Sequence, residues 1–487
     1  MTDDSDADAG GDGDAFAAVV ARVRDRVTPD AAERERLRGA ADALATRAAE
    51  AVADLPAPAS EADVLRVGST ARGTWLAGDR DIDLFVRFPT ALADDELAEY
   101  GLRVGHAVLP EGREEYAEHP YVTGAFEGFD VDLVPCYDVA DATAIRSSVD
   151  RTPFHTAYLE AHLDESLAGE VRVFKRFLKG VGVYGSDLRT EGFSGYLSEL
   201  LVVHHGGFRA TLAAAADWTP PVELDPEGHG RATFDDDLVV IDPTDPGRNV
   251  AAVLSGDNLA RFQHHARALL ADPDESTFFP PESESLGARA VREHVDRRGT
   301  CPVALAFDAP DIVDDQLYPQ LRRSLDGVRR ELSGRGFDVL RTATFAADSA
   351  DGDGASGADG AEAAGADGGD RRAVLLFELA GRTLPAVERH EGPPVHVRDH
   401  AEGFYAAYAD GDAYGPFVAD GRYVVERERD ERDAVALLDS PALFDAALGA
   451  RVETALRGGY DLLVGDGVAD LADGFGTELR AYFEPAV

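Results

Sequence analysis

One stretch constrains the fold more than any other. Val64-Leu65-Arg66-Val67 is a short apolar strand that stops at Gly68-Ser69. Asp81-Ile82-Asp83-Leu84-Phe85-Val86-Arg87-Phe88 is a second strand with period-two alternation, closed by Pro89. Between them, Ala71 to Leu76 suits the start of a helix, with Ser69 or Thr70 as its cap. Asp94 to Val108 suits another helix. Tyr121 to Phe126 and Phe129 to Val134 flank Glu127-Gly128 and predict a hairpin that ends at Pro135. Strand, helix, strand, helix and hairpin in this order describe a compact α/β or α+β module.

The rest of the 487 residues extends the plan to about three domains. Residues 15–55 are helical by the spacing of Phe16, Val19, Val20, Val23, Leu37 and Leu44. Glu170 to Val181 presents Val171, Phe174, Leu178 and Val181 as one stripe, and Leu197 to His204 and Asn258 to Leu270 add two further helices. Beyond Cys301, a strand (303–307), a helix (317–332) and two strands (338–345 and 374–379) suggest an α+β module of ferredoxin-like topology. Residues 346–371 are low-complexity Ala, Gly and Asp, too apolar-poor to offset the entropy of ordering, and are expected to form a flexible loop. The acidic residues 1–14 are expected to form a disordered tail. The predicted division is 15–145, 146–285 (mostly helical) and 286–487.

Charge sets a second boundary. The chain carries 47 basic and 92 acidic residues, a formal −45, which argues against a generic basic glove for nucleic acid. Only Lys175 and Lys179 are lysines; the other 45 basic residues are arginines. Acid excess with few lysines suits a cytoplasm rich in salt, where a Debye length of about 3 Å at 1 M mutes self-repulsion. Cys136 and Cys301 imply no disulfide framework and have no zinc spacing around them. No apolar run reaches the 18 residues of a membrane span, and the N-terminus lacks the apolar region of a secretory signal.

The chemistry concentrates where the fold signal is strongest. Asp81 and Asp83, at i and i+2 on a strand, face the same side about 7 Å apart. Magnesium, a hard cation, takes carboxylate oxygens together with substrate phosphates. In so acidic a chain the spacing alone means little. Its neighbourhood adds weight: Gly68 lets a phosphate approach, Ser69 offers a hydroxyl, and Arg72 a charged fork within one turn. A third carboxylate is expected on a neighbouring strand, where Asp130 and Asp132 share one facing and spacing does not choose between them. Lys175 and Lys179, four apart on one helix, keep a compact ammonium in a chain that otherwise uses arginine, as a phosphate contact would demand.

Gly-Ser, then D-I-D on the next strand, then a lone Asp on a later one resembles the polymerase-β-like nucleotidyltransferases. Longer motifs narrow this: V-G-S-T-A-R-G-T-W-L (67–76), E-H-P-Y-V-T-G (118–124), V-D-L-V-P-C-Y (131–137), V-D-R-T-P-F-H (149–155), G-F-S-G-Y-L (192–197), R-N-V-A-A (248–252), D-N-L-A-R-F (257–262) and D-I-V-D-D-Q-L-Y-P-Q-L (311–321). They look like the archaeal, class I CCA-adding tRNA nucleotidyltransferases, closely over 15–345 and more weakly over 372–487.

The resemblance implies a polymerase-β-like catalytic domain at 15–145, a helical nucleotide- and primer-binding domain at 146–285, and a C-terminal tRNA-binding region. It implies Mg2+ on Asp81, Asp83 and Asp132, the last replacing the open choice above. It places Gly68, Ser69, Arg72, His155, Lys175 and Tyr184 at ATP or CTP, with Thr152 and Arg248 as further nucleotide or primer contacts. Asp81 departs from the Glu often found at its position, a shorter acid of the same charge. The implied reaction builds the 3′ CCA end of tRNA from CTP and ATP without a template, in a cytoplasmic homodimer. Tyr405, Tyr408 and Tyr414 are candidates either for the acceptor arm or for the core. The competing readings are a poly(A)-type transferase and a non-catalytic RNA-binding protein.

Overall fold

The computed structural model describes residues 9–116, 118–230, 233–348 and 371–487. It comprises two compact units that meet in sequence at Pro281 and Glu282.

The first unit opens with helices α1 (Ala9–Val27) and α2 (Ala31–Ala53), the second capped by Asp30, which accepts from the Glu33 amide at 2.7 Å. There follow β1 (Asp63–Val67), α3 (Gly68–Arg72), β2 (Asp81–Pro89), α4 (Asp94–Val108), β3 (Arg113–Tyr116), β4 (Pro120–Phe126) and β5 (Phe129–Asp138). The strands form one sheet in the order β1-β2-β5-β4-β3. Its ladders are antiparallel except β2 with β5, which run parallel.

Alternation sorts the two faces. Ile82, Leu84, Val86 and Phe88 of β2 and Val131 and Leu133 of β5 bury against Leu37, Leu44, Val52, Leu97 and Val104 of α2 and α4. Asp81, Asp83, Asp130 and Asp132 therefore stand on the opposite face.

Two local expectations are corrected. The helix after β1 starts at Gly68, not near Ala71, and ends at Arg72; its N-cap is Val67, so neither Ser69 nor Thr70 caps it. The backbone turns directly off the strand at Gly68, leaving no room for a separate cap. Pro135 does not end its strand, because pairing to β4 stops at Leu133 while β2 still pairs as far as Asp138. A proline there lies on a locally one-sided ladder, where its missing N–H is tolerated.

The remainder of this unit is mostly helical, as expected: α5 (Thr152–His162), α6 (Glu165–Gly180), α7 (Gly195–His205), α8 (Phe208–Ala216) and α9 (Gly256–Ala271), with short parallel strands β6 (Val222–Leu224) and β7 (Leu238–Val240) before α9. Phe174, Phe177, Phe208, Phe262 and Phe278 are fully buried in one core. Each such ring is worth about 1.5–3 kcal/mol in burial. Phe16, Val19, Val20, Val23 and Val27 place α1 in this core rather than in the sheet's. Docking of that stripe lets the helix propagate back to Ala9, so residues 9–14 are helical rather than part of a disordered tail. Residues 1–8 lie outside the described residues.

The second unit contains α10 (Ala288–Arg298), β8 (Cys301–Asp308), α11 (Asp314–Gly334), β9 (Val339–Asp348) and β10 (Arg371–Leu379). An insertion follows, made of β11 (Val387–Pro394), α12 (Arg398–Tyr408), β12 (Tyr414–Ala419) and β13 (Arg422–Glu428), after which α13 (Ala434–Leu438) packs back into the core of the main sheet. Then come α14 (Ala450–Gly458), β14 (Asp461–Val464) and α15 (Ala472–Phe483). The main sheet runs β14-β8-β10-β9, antiparallel throughout. With α11 and α14 as its crossovers this is the expected ferredoxin-like βαββαβ arrangement.

Arg371 pairs with Asp348, so residues 346–348 and 371 belong to strands; residues 349–370 of the expected loop lie outside the described residues. Tyr405 and Tyr414 are exposed on the insertion and Tyr408 is half-buried, so none of the three is core.

Candidate active site

The parallel ladder sets Asp81 opposite Asp130 and Asp83 opposite Asp132. Neighbouring strands lie about 4.8 Å apart, so four carboxylates share a small patch. Burial pushes the Asp83 carboxyl up to about 7, helped by the charges of Asp132 and then Asp81 and opposed by Arg72. Burial also raises Asp81, with the charges of Asp79, Asp130 and Asp132 adding and Lys179 opposing. Asp132 is raised by burial and by Asp130, against a hydrogen bond from Thr123. Asp132 is half-buried and its charge acts directly on Asp83, whereas Asp130 is exposed at the strand's start. The structure thus favours Asp132 as the partner of Asp83, where spacing left a choice.

Crowded, desolvated anions call for a cation. Among the described residues no three His, Cys, Asp or Glu side chains are gathered tightly enough to hold an ion as they stand. The donor set nevertheless fits a hard divalent ion: oxygen ligands only, on adjacent strands, turned to one face.

The Gly68 bend faces this patch. Its φ is +74°, and a Cβ there would fall 1.9 Å from Asp83 Oδ2. Only glycine combines that backbone angle with that approach.

Arg72, at the end of α3, donates through Nε to Glu199 Oε2 at 2.7 Å and through Nη1 to Thr156 at 3.3 Å. Lys175, 3% exposed on α6, donates to Glu199 Oε1 at 2.7 Å and to Thr74 Oγ1 at 3.3 Å. Tyr184 and Lys175 both border Gly195: a Cβ there would lie 3.3 Å from the Tyr184 hydroxyl and 3.9 Å from Lys175 Nζ. Lys179, one turn on, lies partly exposed 3.5 Å from Asp79 Oδ1, and its charge reaches Asp81.

A second cluster surrounds Asp242. His155 Nε2 lies 2.8 Å and Arg248 Nη1 3.0 Å from Asp242 Oδ2, and His155 stacks on Tyr196 with ring centroids 3.9 Å apart. Thr152 opens α5, just under one turn before His155. Ser69 is half-buried in α3, its carbonyl accepting from the Thr74 amide at 3.0 Å.

Comparisons with known proteins converge. The nucleotidyltransferase domain family matches residues 46–155, the second domain of tRNA nucleotidyltransferase 169–279, and the C-terminal domain of CCA-adding enzyme 298–351 and 362–465. The CCA-adding enzyme of Halorubrum lacusprofundi is 59% identical, over 97% of this chain and 99% of the relative. That of Haloarcula marismortui is 58% identical with the same coverage. The chain belongs to the CCA-adding enzymes. The family likeness extends to Methanosarcina acetivorans, whose CCA-adding enzyme is 37% identical over 93% of this chain and 94% of that relative.

For this member of the CCA-adding enzymes, the sequence reading missed Glu199 and Asp242, the two buried acids on which its predicted cations converge. Neither stands in a spacing pattern that singles it out. G-F-S-G-Y-L ends two residues before Glu199, and R-N-V-A-A begins six after Asp242; proximity to those motifs was the available signal.

Asp242 yields a prediction. Burial alone would raise its pKa, but hydrogen bonds from His155 and Thr244 and the His155 charge hold it well below the usual carboxylate range. A depressed folded pKa contributes stability that is present above the unfolded value of about 3.9 and lost as pH falls through the folded value. Asp242→Asn should therefore destabilise the protein by about 1.5–3 kcal/mol at pH 7, and the deficit should shrink as pH falls below about 4. Thermal unfolding of both proteins across that range in molar KCl checks this; a pH-independent deficit would contradict it.

Proposed function

We propose that this chain adds and repairs the 3′-terminal CCA of tRNA, transferring nucleotidyl groups from CTP and ATP without a template and releasing pyrophosphate. The carrying observation is the parallel register that sets Asp83 beside Asp132 against the Gly68 bend. In this reading Asp81, Asp83 and Asp132 hold divalent metal, Mg2+ by its preference for carboxylate and phosphate oxygens. When bound, the metal lowers the pKa of the attacking 3′-hydroxyl and offsets charge on the leaving pyrophosphate.

The chain's own groups supply position. Gly68 leaves space for the phosphates, and Ser69 and Arg72 donate to them from one short turn. Lys175 and Tyr184 add a charge and a hydroxyl from the adjoining helix end. His155, Thr152 and Arg248 lie toward the sugar, base or primer end. Holding both reactants in line accounts for much of such a rate enhancement. The proposed division is a catalytic part (15–145), a central part (146–285) and a tRNA-binding part (286–487), in a cytoplasmic homodimer.

Incubating tRNA that lacks CCA with CTP and ATP, then sequencing the ends, tests the reading. The expected product ends in CCA; runs of A alone would favour a poly(A)-type transferase, and no addition would favour a non-catalytic binder. Chelation should abolish addition and Mg2+ restore it.

The surface charge adds a condition. Counterion release weakens as salt rises, so RNA recognition in such a chain must lean on shape, stacking and bidentate arginine contacts. Activity should peak in molar KCl, and a peak at low salt with loss above physiological strength would remove the adaptation argument.

A further inference from the structure

Glu199 sits on α7 with its side chain fully buried. It accepts from Arg72 Nε and Lys175 Nζ, both at 2.7 Å, and from the Thr74 hydroxyl. These partners come from α3, α6 and the segment after α3. Burial works against its charge, but Lys175 and then Arg72 keep its pKa below the ordinary value.

Taking three charges out of water costs several kcal/mol per ion. The pairing offsets that cost, yet packed apolar side chains would stabilise such a position at least as well. A core rich in phenylalanine and leucine surrounds α7, so packing alone does not account for an acid here.

The geometry accounts for it differently. Glu199 and Thr156 fix Arg72 through Nε and Nη1, leaving Nη2 held by neither, and the Arg72 charge acts on Asp83. Glu199 and Thr74 fix Lys175 Nζ against Gly195, which the Tyr184 hydroxyl also borders. One carboxylate thus sets the spacing of two cations.

We infer that Glu199 is a positioning residue for nucleotide binding: it holds Arg72 and Lys175 as a preformed two-cation cradle for the triphosphate that CTP and ATP share. The inference rests on the proposed nucleotide roles of Arg72 and Lys175. Because Glu199 acts on the part common to both substrates, its loss affects them alike. Preorganisation appears in affinity: without Glu199, each substrate must order the two cations itself.

The test compares Glu199→Gln with the unaltered chain in molar KCl, using tRNA lacking CCA for CTP and tRNA ending in CC for ATP. KM for CTP and for ATP should rise together, about tenfold or more, the scale of one charge-assisted contact. The turnover number should change far less, and inhibition by inorganic tripolyphosphate should weaken by a matching factor. KM values unchanged or lowered, or a rise for one nucleotide only, would overturn the inference.

If Glu199→Gln does not fold, Glu199→Asp decides. It keeps the charge but withdraws it by one methylene, so a smaller joint rise supports the inference and unchanged KM values overturn it. Arg72→Ala separates the two levels. A rise in KM with Arg72→Ala but none with Glu199→Gln removes only the Glu199 role. No rise with either removes the nucleotide reading on which it rests.

Discussion

Asp83→Asn should lower nucleotide incorporation by at least about 1,000-fold, while tRNA affinity stays within about twofold. Asparagine keeps the shape of the side chain and removes the charge, so the fold is little disturbed. Asp83 is the deepest of the three acids proposed to hold metal, and burial with the charges of Asp132 and Asp81 pushes its carboxyl up to about 7, a cost that a bound cation would offset. Single-turnover incorporation and filter binding of tRNA measure the two quantities separately. Unchanged incorporation would remove Asp83 from the metal site; loss of tRNA affinity in parallel would point instead to a structural role.

Gly68→Ala should be nearly as damaging, for a steric reason. The backbone at φ +74° costs a non-glycine residue about 1–2 kcal/mol, and the new methyl would meet Asp83 Oδ2 at 1.9 Å. The carboxylate must move or the turn must open, and either separates the bend proposed to face the phosphates from the acids. We expect a loss of incorporation of about 100-fold and a destabilisation of about 1–3 kcal/mol. Single-turnover rates and thermal unfolding in molar KCl check the pair. Activity retained in a stable Gly68→Ala protein would show that the bend and Asp83 do not need this approach.

The fold was legible wherever periodicity was strong. Asp94–Val108 was predicted to the residue, and the βαββ core of the second unit followed from short apolar runs such as 303–307 and 374–379 around an amphipathic helix. Boundaries failed where a backbone choice outweighed local composition: at Gly68, where a left-handed turn replaces a capped entry, and at Pro135, where the partner strand's end makes proline harmless.

The site divided in the same way. Asp81 and Asp83 announce themselves by spacing on one strand. The preference for Asp132 over Asp130 depends on register with a distant strand, which the residues alone did not supply. Glu199 and Asp242 were hidden for a further reason. In a chain with 92 acidic residues, carboxylates are the least informative letters; among the described residues burial marks Asp150, Glu199, Asp242 and Glu378, and only the contacts with Arg72, Lys175, His155 and Arg248 then pick out Glu199 and Asp242.

The parallel ladder between β2 and β5, in a sheet whose other ladders are antiparallel, carries one more consequence. Sliding one strand by two residues would keep every acid on its face yet bring Asp81 or Asp83 level with a different partner; sliding it by one would turn a whole row inward. The separation between the proposed ligands is therefore written in main-chain hydrogen bonds, and the apolar neighbours that pin the slide, Ile82, Leu84, Val131 and Leu133, act as a vernier for it. Shaving methyl groups from that hidden side should loosen the proposed metal binding without touching one of the three carboxylates.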